Sequence, residues 1–263
     1  MAQPPLRGLS RSRERGTAKR WRGHAALTAL AAALLACACS PAKPDKAADA
    51  APLSRDMDAV FQLAFGSLAP SPREIERKGK KVDIEYSPSH IQDLGDGRIA
   101  LISTGVSPDG CSPCARAVAI TYLARTGASY RVTNQWLDLG AIGNLGEKPD
   151  ARFREDLFEK PALDIEMPNE NQGCNEVTGT LYELLPTGPA LRAAGISTHR
   201  SNVAMGGIRV GLQVDDYGDI LADQKGKRFI VRYRGTYPGE VPYAPGGADG
   251  LWLPQNGFKI PVC

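Results

Sequence analysis

Cys111-Ser112-Pro113-Cys114 is the one short motif in this 263-residue chain whose spacing by itself suggests chemistry. Two thiols separated by two residues can exchange with a disulfide, bind a soft metal or close into a structural cystine. Zinc normally asks for a second pair of matching spacing, and the other cysteines (Cys37, Cys39, Cys174 and Cys263) supply none. A covalent haem needs His directly after the second Cys, and Ala115 stands there. No metal or other cofactor is therefore expected.

The remaining chemistry-bearing residues are scattered. After the first 36 residues the chain has two histidines, His90 and His199. Neither lies in a nucleophile elbow, which places Gly two residues after Ser. Ser107 and Ser197 are candidate hydroxyls for a hydrolase with one of these histidines, but no motif joins them. Asp215-Asp216-Tyr217-Gly218-Asp219 gathers three carboxylates. Its spacing departs from the EF-hand loop, so it reads as a polar turn. Tyr233, Tyr237, Tyr243 and Trp252 stand among glycines and prolines. Such aromatics either present a surface for glycans or peptides or cover one end of a β core, and the sequence leaves both open.

The order around Cys111 resembles thioredoxin-like oxidoreductases, in which a strand leads to C-x-x-C at a helix N-terminus. That resemblance implies a helix over Ala115–Arg125, Arg116 stabilising a Cys111 thiolate, and a cis-proline loop for which Val241-Pro242 is the candidate. The residues themselves favour another geometry. Ala119-Ile120-Thr121-Tyr122-Leu123, the turn Thr126-Gly127-Ala128 and Tyr130-Arg131-Val132 read as a hairpin. A structural cystine is then the preferred role for Cys111 and Cys114, and thiol-disulfide exchange is the alternative.

The N-terminus sets the compartment. Arg7, Arg11, Arg13, Arg15, Lys19, Arg20 and Arg22 precede an uncharged, Ala/Leu-rich apolar run from Ala25 to Ala36. A basic segment, a short apolar core and small residues at its end form a secretory signal peptide, and the core is shorter than a membrane span. Leu34-Leu35-Ala36-Cys37 resembles the lipobox of bacterial lipoproteins. The resemblance implies cleavage before Cys37 and acylation of that residue, with Cys39 as a weaker competing site. Ala38 rather than Asp follows, which in that family implies the periplasmic face of the outer membrane where the organism has two membranes.

Three segments follow: signal peptide 1–36, lipidated Cys and flexible tether 37–52, and a single domain over 53–263. The tether, from Ser40 to Pro52, is Ala, Pro, Asp and Lys without an aromatic, too polar to fold alone. The whole chain carries 32 Lys and Arg against 29 Asp and Glu. Without the leader's seven basic residues and one acid the balance is 25 to 28, a net charge of −3. Such a surface gives no electrostatic footprint for nucleic acid. The domain's four cysteines (Cys111, Cys114, Cys174 and Cys263) are an even set in an exported chain, hence disulfide candidates in any of three pairings.

What must position these residues is a β-rich framework. One helix is expected, with Ser54 as N-cap, Asp56 and Asp58 in the first turn and Gly66 at its end. Met57, Val60, Phe61, Ala64 and Phe65 form its apolar stripe. Short β-branched and aromatic runs follow at Val82–Tyr86, Arg98–Thr104, Tyr130–Trp136, Ala162–Glu166, Thr180–Leu185, Ile208–Val214, Arg228–Tyr233 and Phe258–Val262. Asp96-Gly97, Thr126-Gly127, Thr187-Gly188 and Tyr217-Gly218 read as turns between strands. The expected fold is mainly β: an antiparallel sandwich, barrel or propeller-like array of short strands with one short N-terminal helix. A weak internal repeat aligns Ala100–Gly127 with Ala162–Gly188, each unit reading strand, Gly-Cys loop, strand, turn, strand.

The expectation for function is an exported, lipid-anchored envelope protein, a non-enzymatic binding or scaffold module at the membrane surface. Its partners would be the membrane through its lipid and an envelope protein or glycan. The alternative is a periplasmic thiol-disulfide oxidoreductase using Cys111 and Cys114.

Overall fold

Alternating and continuous apolar runs separated by glycine turns give antiparallel strands almost throughout. The computed structural model describes residues 56–77, 79–95, 97–108, 116–139, 149–171, 173–203, 213–247 and 249–257. The leader, Cys37, Cys39, the tether, Ser54, Cys111, Cys114, the expected strand Phe258–Val262 and Cys263 lie outside these residues, as does Ile208–Val214 except for its last two positions.

Helix α1 spans Met57–Phe65. Asp56 caps it, its carboxylate accepting from the Asp58 amide, and Gly66 closes it in the left-handed conformation. Val60, Phe61 and Phe65 of the expected stripe are buried.

Strands β1 (Ser71–Arg77), β2 (Lys80–Gly95), β3 (Arg98–Val106), β4 (Arg116–Thr126) and β5 (Ser129–Trp136) form a five-stranded antiparallel meander. The second sheet has eight strands in sequence order: β6 (Asp150–Arg154), β7 (Ala162–Asn171), β8 (Cys174–Leu185), β9 (Gly188–Ser201), β10 (Asp215–Gln224), β11 (Arg228–Gly235), β12 (Gly239–Pro245) and β13 (Trp252–Pro254). The fold is thus mainly β and antiparallel with one short helix, as the sequence leads one to expect.

Three apolar clusters explain the strand patterns. Ile99 and Leu101 of β3 and Ala117, Ala119 and Leu123 of β4 face α1, Ile75, Ile84 and Tyr86. Their neighbours Ala100, Ile102, Val118, Ile120 and Tyr122 point the other way, onto Leu163, Ile165, Met167 and Leu184 of the second sheet. β3 and β4 are therefore covered on both faces, which is why they read as unbroken apolar runs. The second sheet then curls. Its opposite face gathers Leu181, Ala193 and Ile196 against Phe229, Val231, Tyr233, Val241, Tyr243 and Trp252, with Leu157 and Phe158 filling the interior.

Several expectations are corrected here. The segment beginning at Arg116 is strand β4 of the hairpin read from its residues, not the helix that the thioredoxin-like resemblance implies; Val106 lies opposite Arg116 and Thr126 opposite Ser129. Gly127, at φ 61°, takes the left-handed turn position between β4 and β5. The cis bond among the described residues is Ala69-Pro70, while Pro242 is a β12 residue opposite Ile230. Asp215–Asp219 is the start of β10 rather than a turn. Gly218 sits inside that strand because the Tyr233 ring lies over it; a Cβ there would come within 2.7 Å of the ring. The two repeat-like segments share strand order, but Ala100 pairs with Tyr122 whereas Ala162 pairs with Glu183, one step away from the equivalent Tyr182.

Candidate functional site

A cleft of about 400 Å³ opens between β2 and β6, lined by Ser89, His90, Gln92, Ala151, Arg152, Phe153 and Glu155. Its lining betrays its direction. Successive side chains of a strand point to opposite faces, so a cleft touching Ala151, Arg152 and Phe153 together follows the edge of β6. On the other wall, pairing steps from Pro88–Ser103 to His90–Ile102, leaving Ser89 as a bulge that re-aims its neighbours. β1 pairs with β2 only as far as Tyr86, so the wall at Ser89–Gln92 is bordered by β3 on one side alone among the described residues. That explains how Pro88 is tolerated mid-strand. The walls meet at two points: Gln92 Nε2 donates to Glu155 Oε1 at 2.8 Å, and the His90 and Phe153 rings lie 5.2 Å apart at 45°.

Behind the cleft lies an ionic cluster on the paired strands β6 and β7. Arg152 lies opposite Asp164 and Arg154 opposite Ala162. Arg152 pairs with Glu166 at 2.5 Å and more loosely with Asp150 at 3.6 Å and Asp164 at 3.8 Å. Arg154 grips Asp156 through two hydrogen bonds of 2.9 and 2.8 Å and donates to the Ile220 carbonyl at 3.0 Å. Its approach to Asp164 is again 3.8 Å.

Asp164 is the odd member. Its side chain is 2% exposed, and Oδ1 has no hydrogen-bond partner among the described residues. Burial, reinforced by the Glu166 charge, pushes its carboxyl up to about 6, against the opposing pull of Arg152 and Arg154. At 3.8 Å neither guanidinium hydrogen-bonds to it, so their attraction offsets desolvation only in part. Asp156, hydrogen-bonded by Arg154, shifts the other way. Two carboxylates beside the same arginine are thus driven apart by contact geometry.

The candidates read from sequence fall into separate places. His90 is in the cleft. His199, on β9, stacks on Tyr217 of β10 at 4.3 Å and 12°, with Nε2 3.6 Å from Asp215 Oδ1. Ser197 is two residues earlier on the same strand, yet its Oγ makes no hydrogen bond among the described residues. Serine, histidine and aspartate are neighbours here without the nucleophile-to-base hydrogen bond that a triad requires. Ser107 follows β3, the neighbour of the His90 strand, but Val106 before it lies opposite Glu85, five positions along β2 from His90, and β9 with His199 is in the other sheet. Tyr233, Tyr243 and Trp252 are buried in the curled core and Tyr237 packs on it, so these aromatics cover a core rather than form a binding face. Cys174 opens β8 and is disulfide-bonded. Cys37, Cys111, Cys114 and Cys263 lie outside the described residues. No group of three or more His, Cys, Asp and Glu placed to hold a metal occurs among the described residues.

No protein-family model, curated protein or solved structure matches this chain. The site must therefore be read from its own residues. Gln92, Arg152, Phe153, Glu155 and Asp164 escape a motif search because strand residues become neighbours only through pairing. A legible trace exists nonetheless: Asp150-Ala151-Arg152-Phe153-Arg154 alternates charged and apolar, and Asp164-Ile165-Glu166 places two acids at the same period.

Proposed function

We propose that this chain is an exported, lipid-anchored envelope protein whose β domain is a non-enzymatic binding module at the membrane surface. The observation that carries this is Leu34-Leu35-Ala36-Cys37 closing the apolar run Ala25–Ala36. Each buried CH₂ of an acyl chain contributes ~0.8 kcal/mol, and two or more chains on Cys37 would hold the protein stably at a bilayer. The disulfide at Cys174 supports the same address, since cystines persist in oxidising compartments. With Ala38 after the cysteine, the lipoprotein pattern favours the outer membrane's periplasmic face in a two-membrane organism. Anchored through Cys37, the domain would be kept near the membrane, where effective concentration compensates for weak partner contacts.

The binding role draws on the cleft between β2 and β6, which combines an aromatic wall with planar polar groups and can engage an envelope protein or glycan. Thiol-disulfide exchange at Cys111 and Cys114 has less support, because the chain from Arg116 onward is strand and offers no helix dipole. Labelling growing cells with an alkyne-bearing palmitate analogue tests the anchor. The full chain is expected to take up label, to lose it in Cys37→Ser and to keep it in Cys39→Ser. Label that survives Cys37→Ser would contradict the assignment.

A further inference from the structure

We propose that the cleft takes an extended, basic polypeptide segment, added as a strand along the outer edge of β6. This deepens the binding-module reading above and rests on it. Three observations carry it.

The first is the edge itself. Among the described residues β6 pairs with β7 alone, and in an antiparallel pair every second residue turns its N–H and C=O away from the partner. Among the described residues no backbone hydrogen bond reaches those outward groups. Five residues of strand span about 17 Å, enough for a short extended segment.

The second is that the edge is walled rather than open. Sheets commonly blunt an edge with short strands and charges, and β6 has both features. Blunting alone would leave the edge facing bulk water. Here the Ser89–Gln92 part of β2 stands across from it, tied over by the Gln92–Glu155 hydrogen bond and the His90–Phe153 contact. The half-open cleft has a strand edge as its floor, which is where strand addition delivers main-chain hydrogen bonds.

The third is the chemistry on either side. An added strand would alternate its side chains between the two faces of β6. One face carries Phe153 and Ala151, which pack on the apolar layer between the sheets. The other carries Asp150 and Arg152, backed by Asp164 and Glu166. Asp150, Asp156, Asp164 and Glu166 outnumber Arg152 and Arg154 there, and Glu155 adds a further carboxylate at the cleft wall, so lysine or arginine side chains suit the cleft and acidic ones do not. The occupant is accordingly a segment alternating apolar and basic residues.

Fluorescence anisotropy on the full chain tests this with an end-capped, labelled hexapeptide alternating valine and lysine. A valine-glutamate hexapeptide and two forms of the lysine peptide, N-methylated along one edge or the other, serve as comparisons. The lysine peptide is expected to bind and the glutamate peptide not. Methylation of one edge is expected to weaken binding at least about tenfold, the loss of about one hydrogen bond. Glu155→Lys, an exposed substitution, is expected to weaken the lysine peptide by a similar factor and to admit the glutamate peptide. Equal binding of both methylated forms would show that charge alone holds the peptide and would overturn strand addition. Self-association abolished by Glu155→Lys, with no peptide binding, would make the occupant a second copy and overturn it equally. A protein that is acylated at Cys37 but ignores every peptide keeps its anchor and loses only this claim.

Discussion

Phe229→Ala is expected to lower the unfolding free energy by about 3–5 kcal/mol, the range for deleting a fully enclosed aromatic ring. Phe229 has no exposed surface. Its ring stacks on Tyr243 at 4.8 Å and 8°, lies near-parallel to Trp252 at 5.6 Å, and meets Phe158 edge-on at 6.4 Å. These partners come from β12, β13 and the connection after β6, so the ring of β11 joins three other parts of the sheet's inner face. Curling the eight-stranded sheet around this cluster leaves no slack for the cavity to collapse into. Urea unfolding of the variant beside Val132→Ala, a change at an exposed site on edge strand β5, measures the difference. The control is expected to stay within about 0.5 kcal/mol of the parent. A loss below about 1 kcal/mol at Phe229 would show that the curled core is not packed as described.

The second large effect is a pH dependence carried by Asp164. In the folded protein its carboxyl keeps its proton up to about 6, against an ordinary value of 3.8 in the unfolded chain. Between those values folding takes up a proton. The group's contribution is therefore complete below about pH 4 and is lost as pH rises through about 6. A shift of this size corresponds to roughly 3 kcal/mol at ~1.36 kcal/mol per pH unit. Asp156, whose carboxyl is held below its ordinary value, acts with the opposite sign, so the whole protein's profile blends the two. Subtracting the urea-unfolding profile of Asp164→Asn from that of the parent isolates the group. The parent is expected to lose stability relative to the variant from pH 4 to 7. A difference that stays flat or rises over that interval would mean that Asp164 is solvated or hydrogen-bonded in the folded state.

Helix α1 and the strands of the central layer were legible because their residues carry the pattern locally. The stripe Val60, Phe61 and Phe65 has the helical period, and Gly66 stands where a left-handed cap is needed. The hairpin around Gly127 followed from β-branched runs on either side of one glycine. The β1 strand was not legible: Ser71-Pro72-Arg73-Glu74-Ile75-Glu76-Arg77 is mostly charged, and a partner on one side supplies what its composition does not. β10 was misread as a turn because glycine and three aspartates usually punctuate a chain. Here Gly218 makes room for a ring from the neighbouring strand, which only pairing reveals. Asp56, not Ser54, caps the helix, a displacement of two residues that either acid or hydroxyl chemistry would permit. The cleft was the least legible feature. His90 was visible as a titratable residue, but its neighbours Arg152 and Phe153 are some sixty positions away, and no local signal sets that register.

Export and anchoring carry the whole functional account, and intact-mass spectrometry of the protein recovered from the cell envelope tests them together. The account predicts a chain beginning at Cys37 whose mass exceeds that of the bare polypeptide by acyl groups, with Cys111, Cys114, Cys174 and Cys263 oxidised. A chain that keeps residues 1–36, carries no lipid and alkylates at all of its cysteines without prior reduction would contradict it.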